Sequence, residues 1–174
     1  MKYLFNFCFL FTTICVGAQN DVTIPPYKRF PTLPPIQLLL GDSITKYTKE
    51  NIPVNKPVLI MLFSPECSHC QHTAEEIYDH KEELKDIYIV MATMFPLYEM
   101  NDFMKEYKLN EMKNIVAGKD IYFILPPFFA IKNLPYMAMY DKNGNLIMGF
   151  EGSISIEKVI GVFKENKQIS SAKD

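Results

Sequence analysis

Six consecutive apolar residues, Val58 to Phe63, run through Ser64-Pro65-Glu66 into Cys67-Ser68-His69-Cys70. A short apolar run without polar alternation is the pattern of a strand buried on both faces, and so of a sheet covered by helices on each side. Ile87 to Met94 repeats the pattern. Between the two runs, Ala74, Ile77, Tyr78, Lys81 and Leu84 share one helical stripe, Lys81 contributing its stem. A second helix is predicted from Met100, Phe103, Met104 and Tyr107, and a last one from Ile156, Val159, Ile160 and Phe163. Ile36 to Leu40 followed by Gly41-Asp42 reads as a first strand and turn. Tyr136–Tyr140 and Leu146–Phe150 flank Asp141-Lys142-Asn143-Gly144-Asn145, the composition of an antiparallel hairpin. Strand, helix, strand, helix, hairpin, helix is an α/β order. It calls for a mixed central β-sheet flanked by helices, its parallel members joined by right-handed crossovers.

The ends of the chain read differently. Met1-Lys2 gives a positive start, Tyr3 to Val16 is mostly apolar, and Val16-Gly17-Ala18 supplies small residues for a signal peptidase. Residues 1–18 are therefore expected to be a signal peptide cleaved after Ala18. Fourteen residues fall short of the roughly 20 that cross a bilayer, and Ile14 before Cys15 is too large for a lipidation signal. Residues 19–35, with Pro25, Pro26, Pro31, Pro34 and Pro35, read as a proline-rich extended arm. Residues 36–164 form the domain, and residues 165–174 a frayed polar tail. Cleavage removes Cys8 and Cys15 and leaves Cys67 and Cys70 in a chain working in the periplasm, where thiol pairs are normally oxidised. A net charge of -2 and a single arginine, Arg29, argue against nucleic acid as a partner.

The chemistry is concentrated in Cys67-Ser68-His69-Cys70. Following a buried strand and opening a helix, Cys67 should lie where free N–H groups and the helix dipole favour a thiolate nucleophile. Two intervening residues bring Cys70 within reach of a mixed disulfide on Cys67, making it the resolving thiol. His69 adds a possible positive charge, which would make the disulfide form more oxidising. No cofactor is needed beyond a redox-active Cys67–Cys70 disulfide. The alternatives for the motif itself are a passive disulfide or a zinc half-site.

From Val58 through Cys70, with Asn133-Leu134-Pro135-Tyr136 and the Asn143-Gly144 hairpin, the chain resembles the thioredoxin superfamily, in particular exported TlpA/ResA-like thiol-disulfide oxidoreductases. The resemblance covers about Ile36 to Lys164. It implies a thioredoxin-like fold, a cis peptide before Pro135, a loop that packs Pro135 against the sulfurs, and Leu134 pairing with substrate backbone. Glu66 and Ser68 would complete the substrate groove. Its partners would be disulfide-bearing exported proteins and a membrane thiol electron carrier, with reduction favoured over oxidation or isomerisation. Three departures matter. Glu66 replaces the usual tryptophan and places an anion beside the nucleophile, opposing His69. Met61 stands where a buried acid is expected, leaving Glu75 or Glu76 as candidate proton carriers. His69 before the second cysteine is similar to the strongly oxidising DsbA-type proteins.

Other readings fit less well. Peroxiredoxins resemble this architecture, but Ile60 stands where their proline is needed, Ser64 alone matches, and Arg29 lies in the arm. A thioredoxin-fold copper chaperone would use Cys67, His69 and Cys70 with His72 nearby. Met91, Met94, Met137 and Met139, on apolar strands, are better read as core. His72 and His80 are expected at the surface. A peptide-binding module that merely retains the fold would carry a degraded motif, whereas this one is intact.

Overall fold

A computed structural model describes residues 24–171; the signal-peptide region lies outside the described residues. The elements are α1 (Pro26–Arg29), β1 (Gln37–Leu40), β2 (Lys46–Thr48), β3 (Val58–Leu62), α2 (Ser68–Asp79), α3 (Lys81–Leu84) and β4 (Tyr88–Thr93). There follow α4 (Leu97–Glu106), β5 (Ile115–Asp120), α5 (Leu125–Phe129), β6 (Tyr136–Tyr140), β7 (Leu146–Glu151) and α6 (Ile156–Ser171).

All five residues of β3 are buried, as its uninterrupted apolar run requires of a strand covered on both faces. It sits between β4, parallel to it, and β6, antiparallel, in a seven-stranded sheet of order β2-β1-β5-β4-β3-β6-β7. Side chains alternate across the sheet, so β3 feeds two cores. Leu59, Met61 and Phe63 enter one with Ala74 and Ile77 of α2, Met100, Phe103 and Met104 of α4, and Ile156, Val159, Ile160 and Phe163 of α6. Val58, Ile60 and Leu62 enter the other with Ile36, Leu38, Leu125, Phe129, Tyr136 and Tyr140. The predicted stripes of the second and last helices are thus the buried faces of α4 and α6. Met91, Met137 and Met139 fill core space.

Several boundaries differ from the sequence expectation. The stripe from Ala74 to Leu84 is carried by two helices, because the backbone leaves helical geometry at His80 (φ -95°, ψ 20°). At the break the His80 ring turns to α3 and α6, its Nδ1 2.9 Å from Glu83 Oε1 and its Nε2 3.7 Å from Glu157 of α6. These carboxylates, the Glu83 hydrogen bond first, raise the imidazole pKa above its ordinary value. The expected polar tail is helical through Ser171. The apolar stripe ends at Phe163, but Glu, Lys and Gln are good helix formers and carry α6 onward without it.

The arm is not extended throughout. Pro25-Pro26 opens the single turn of α1, where a proline's missing N–H costs nothing. From α1 onward the described part of the arm lies on the domain: Leu33 N donates to Gly144 O (3.0 Å), Leu146 N donates to Pro31 O (2.8 Å), and Tyr27 meets Phe129 at 6.1 Å between ring centroids. Gly144, at φ +79°, supplies the left-handed residue of the hairpin turn. Three elements were not expected at all: β2, β5 and α5. The strand β5 carries Gly118 and Lys119 and lacks a continuous apolar run, while α5 starts Leu125-Pro126-Pro127, a composition that reads as loop.

Gly118 shows why β5 tolerates that glycine. A Cβ there would lie 2.7 Å from Leu38 Cβ and 3.1 Å from Leu39 O, both fixed by the β1–β5 ladder. Gly118→Ala is therefore expected to destabilise the domain by about 1–3 kcal/mol. A urea midpoint that falls at unchanged slope would show it; an unmoved midpoint would mean the sheet can yield there.

Candidate functional site at the end of the central strand

β3, β4 and β5 run parallel, so their C-terminal ends share one edge of the sheet. The chain leaves β3 there through Phe63-Ser64-Pro65-Glu66 and turns into α2. Phe63 N donates to Ala92 O (3.0 Å), carrying the ladder one step further, and Cys67 N donates to Ser64 O (3.2 Å), closing the turn. Gln71, one turn into α2, reaches back to donate its Nε2 to Pro65 O at 2.9 Å. It was absent from the sequence reading, because a side chain returning to its own loop leaves no trace in periodicity or spacing.

Cys67 is the N-cap residue of α2, so its sulfur sits at the helix end where N–H groups lack intrahelical partners. It is partly exposed, whereas Cys70, one turn on, is fully buried. Burial pushes the Cys70 thiol up to about 12; a hydrogen bond with the Ser64 backbone acts the other way, and the Cys67 thiol within hydrogen-bonding contact adds to the rise. The two cysteines thus stand close together in different surroundings, one reachable and one enclosed. The Cys67 thiol donates to Leu134 O at 3.7 Å. Leu134 precedes Pro135 through a cis peptide bond, the geometry that the resemblance implies, and Pro135 itself is buried.

Glu66, Ser68 and His69 are exposed around this pair. Glu66 and His69 form no ion pair with each other, and both face water. Glu66 contributes to raising the Tyr98 hydroxyl pKa, after the larger effect of a hydrogen bond to Glu99. Of the candidate proton carriers, Glu75 and Glu76 sit 3.6 and 3.7 Å from the nitrogens of the exposed His72, one and two residues past the buried face at Ala74. The side chain of His80 is only partly exposed, held among carboxylates. Met61 is buried in β3. Among the described residues no group of three His, Cys, Asp or Glu side chains is placed to hold a metal ion.

A strand, a turn, a helix N-terminus carrying Cys-x-x-Cys, and a cis-proline loop against the first sulfur form one constellation. A family model described as "Thioredoxin-like domain" matches residues 45–167. The chain belongs to this thioredoxin-like family. No curated protein matches its sequence. Among solved structures, a secreted Mycobacterium tuberculosis disulfide oxidoreductase homologous to Escherichia coli DsbE is similar at 14% identity and a TM-score of 0.62, over 73% of this chain and 92% of that one. The pneumococcal exposed lipoprotein thioredoxin of Streptococcus pneumoniae is similar at 21% identity and 0.58, over 75% and 98%. The peroxidoxin BcpB of Mycobacterium tuberculosis is similar at 12% and 0.65, over 77% and 94%. At these identities the likeness is one of fold, which redox proteins of different chemistry share, so the thioredoxin-like chain's chemistry rests on its own site. Ile60, where peroxidase chemistry would need a proline, is buried in the middle of β3, and Arg29 is exposed on α1. No helix among the described residues is long and apolar enough to cross a membrane.

Proposed function

We propose that this thioredoxin-like chain is an exported TlpA/ResA-like thiol-disulfide oxidoreductase that reduces disulfides in exported proteins. The observation that carries the reading is the pairing of a reachable Cys67 at the α2 N-terminus with an enclosed Cys70 one turn behind it, the first sulfur lying 3.7 Å from the carbonyl of Leu134. Cys67 as thiolate attacks one sulfur of a substrate disulfide; a Cys67–substrate bond forms, the substrate S–S bond breaks, and the other substrate sulfur leaves as a thiolate and takes up a proton. Cys70 loses its proton and attacks Cys67 Sγ, which forms the Cys67–Cys70 disulfide and releases the second substrate sulfur as a thiolate that takes up the proton Cys70 gave up. Two electrons pass to the substrate, and the protein's own cysteine pair is the only redox group used.

Glu66, Ser68, Leu134 and Pro135 border the substrate, whose extended chain lies against Leu134. A membrane thiol carrier returns two electrons to the Cys67–Cys70 pair. The apolar segment Tyr3–Val16 ahead of Val16-Gly17-Ala18 supports export to the periplasm with cleavage after Ala18, as do relatives in fold that are described as secreted or exposed.

The test is reduction of insulin by the mature chain together with the potential of its cysteine pair, obtained by counting thiols after equilibration in defined thiol buffers. Turnover and a potential near or below about -250 mV, the thioredoxin range, are expected. Between about -180 and -120 mV the same pair would be making or shuffling disulfides, with His69 outweighing Glu66.

A further inference from the structure

The loop that brings Leu134 to Cys67 has little structure of its own. It leaves α5 through Ala130 in the left-handed region (φ 54°), and Ala130 N and Ile131 N are still bonded to carbonyls of α5. The next two backbone N–H groups, those of Lys132 and Asn133, have no carbonyl partner. Both donate to one carboxylate oxygen, Oε1 of Glu151: Lys132 N at 2.7 Å and Asn133 N beside it, with Asn133 Nδ2 adding a third contact at 3.2 Å. Glu151 is the last residue of β7, opposite Tyr136, and the next residue along, Gly152, donates its N–H to Pro135 O at 2.8 Å. The end of β7 thus grips the loop on both sides of Leu134, by side chain ahead of it and by backbone behind it.

We propose that Glu151 is a positioning residue for the redox site, one that holds the 132–134 segment so that Leu134 presents its backbone to an extended substrate beside Cys67. An ionised carboxylate suits the task, because charge-assisted bonds to backbone N–H groups are stronger than neutral ones and one oxygen can accept several. The residue acts through the loop and touches neither sulfur. This inference rests on the proposed disulfide-exchange function and names what that function needs to recognise protein chains: a fixed main-chain edge. A small disulfide such as glutathione disulfide has little chain to lay along it and depends on the cysteine pair alone.

The experiment compares Glu151→Ala and Glu151→Gln with the unaltered mature chain on insulin and on glutathione disulfide, with thermal melts alongside. Glu151→Ala is expected to raise KM for insulin about tenfold with kcat and the glutathione disulfide rate kept within about twofold, as loss of binding made equally in ground and transition states requires. Glu151→Gln retains an acceptor oxygen and should recover most of the difference. An unchanged insulin KM in the alanine variant would overturn the proposal. So would equal losses on both substrates, or a failure of the alanine variant to fold combined with no insulin KM change in a folded Glu151→Leu variant, whose side chain accepts no hydrogen bond. If the unaltered chain turns over neither substrate, it is the disulfide-exchange reading that falls.

Discussion

Cys67→Ser is expected to lower insulin reduction by about a thousandfold or more, whereas Cys70→Ser should stall the enzyme as a covalent adduct with its substrate. The difference comes from where the two sulfurs sit. Cys67 caps α2 and is partly exposed, so a substrate sulfur can approach it in line; Cys70 is enclosed by the core that holds Phe63 and Ala74, and no protein disulfide can reach it directly. A serine hydroxyl at 67 is too weak a nucleophile to open a disulfide, and the intact Cys70 behind it cannot substitute. With serine at 70 the first step still runs, but nothing within reach attacks Cys67 Sγ in the second. Mass spectrometry after mixing Cys70→Ser with a disulfide-bearing protein should therefore find a one-to-one adduct that dithiothreitol releases. Full turnover by both variants would end the mechanism, and adducts on Cys67→Ser in place of Cys70→Ser would exchange the two roles.

Much of this arrangement was legible in the sequence, and the reasons separate cleanly by residue. β3 announces itself because a strand buried on both faces admits no polar residue, and the hairpin because Asn143-Gly144 is chemistry that few other structures use. The cysteine pair, and a proline in a fitting place for the cis-loop, are visible as local motifs. What was missed depends on contacts far apart in the chain. β5 is held mainly by its neighbours: the buried glycine that weakens it as a local signal is there because β1 passes too close for a side chain. The short helix α5 hides behind Pro126-Pro127, residues that suit a first helical turn and equally suit a loop. At the site, Gln71 and Glu151 were invisible because each acts on backbone atoms, and a carbonyl or an N–H at Pro65 or Lys132 carries no residue-specific signature. The contacts of His80 with Glu83 and Glu157, on two different helices, were likewise out of reach of a local pattern.

The second large effect concerns alkaline stability. Cys70 holds its proton up to about 12 in the folded chain against an ordinary thiol value of 9.0, first because burial disfavours the thiolate. Tyr47, Tyr136 and Tyr140 are likewise held well above the ordinary phenol value of 10.0, again with burial as the leading cause. Tyr47 has a weak partner in the Tyr88 hydroxyl at 3.3 Å, while the hydroxyls of Tyr136 and Tyr140 are buried without one among the described residues. Each of these groups keeps its proton in the native state at a pH where the unfolded chain has lost it. The native state then binds more protons than the unfolded one, and stability falls as pH rises. The thiol contribution is intact below about pH 9 and disappears as pH climbs toward about 12; the phenol contributions begin to go near pH 10. From pH 9 to pH 11 the reduced protein should lose about 2 kcal/mol through Cys70 and about 1 kcal/mol through each tyrosine, a substantial part of a small domain's stability. Urea midpoints across that range should record the decline, and two variants apportion it. Cys70→Ala should remove the part that begins near pH 9 and leave the part that begins near pH 10. Tyr140→Phe should change little at pH 7, since it deletes a buried hydroxyl that has no partner, and should flatten the steepest alkaline section. A midpoint that stays level from pH 9 to pH 11 would mean that the thiol and the phenols ionise as readily inside the fold as outside it, and that the burial separating Cys70 from Cys67 has no electrostatic consequence.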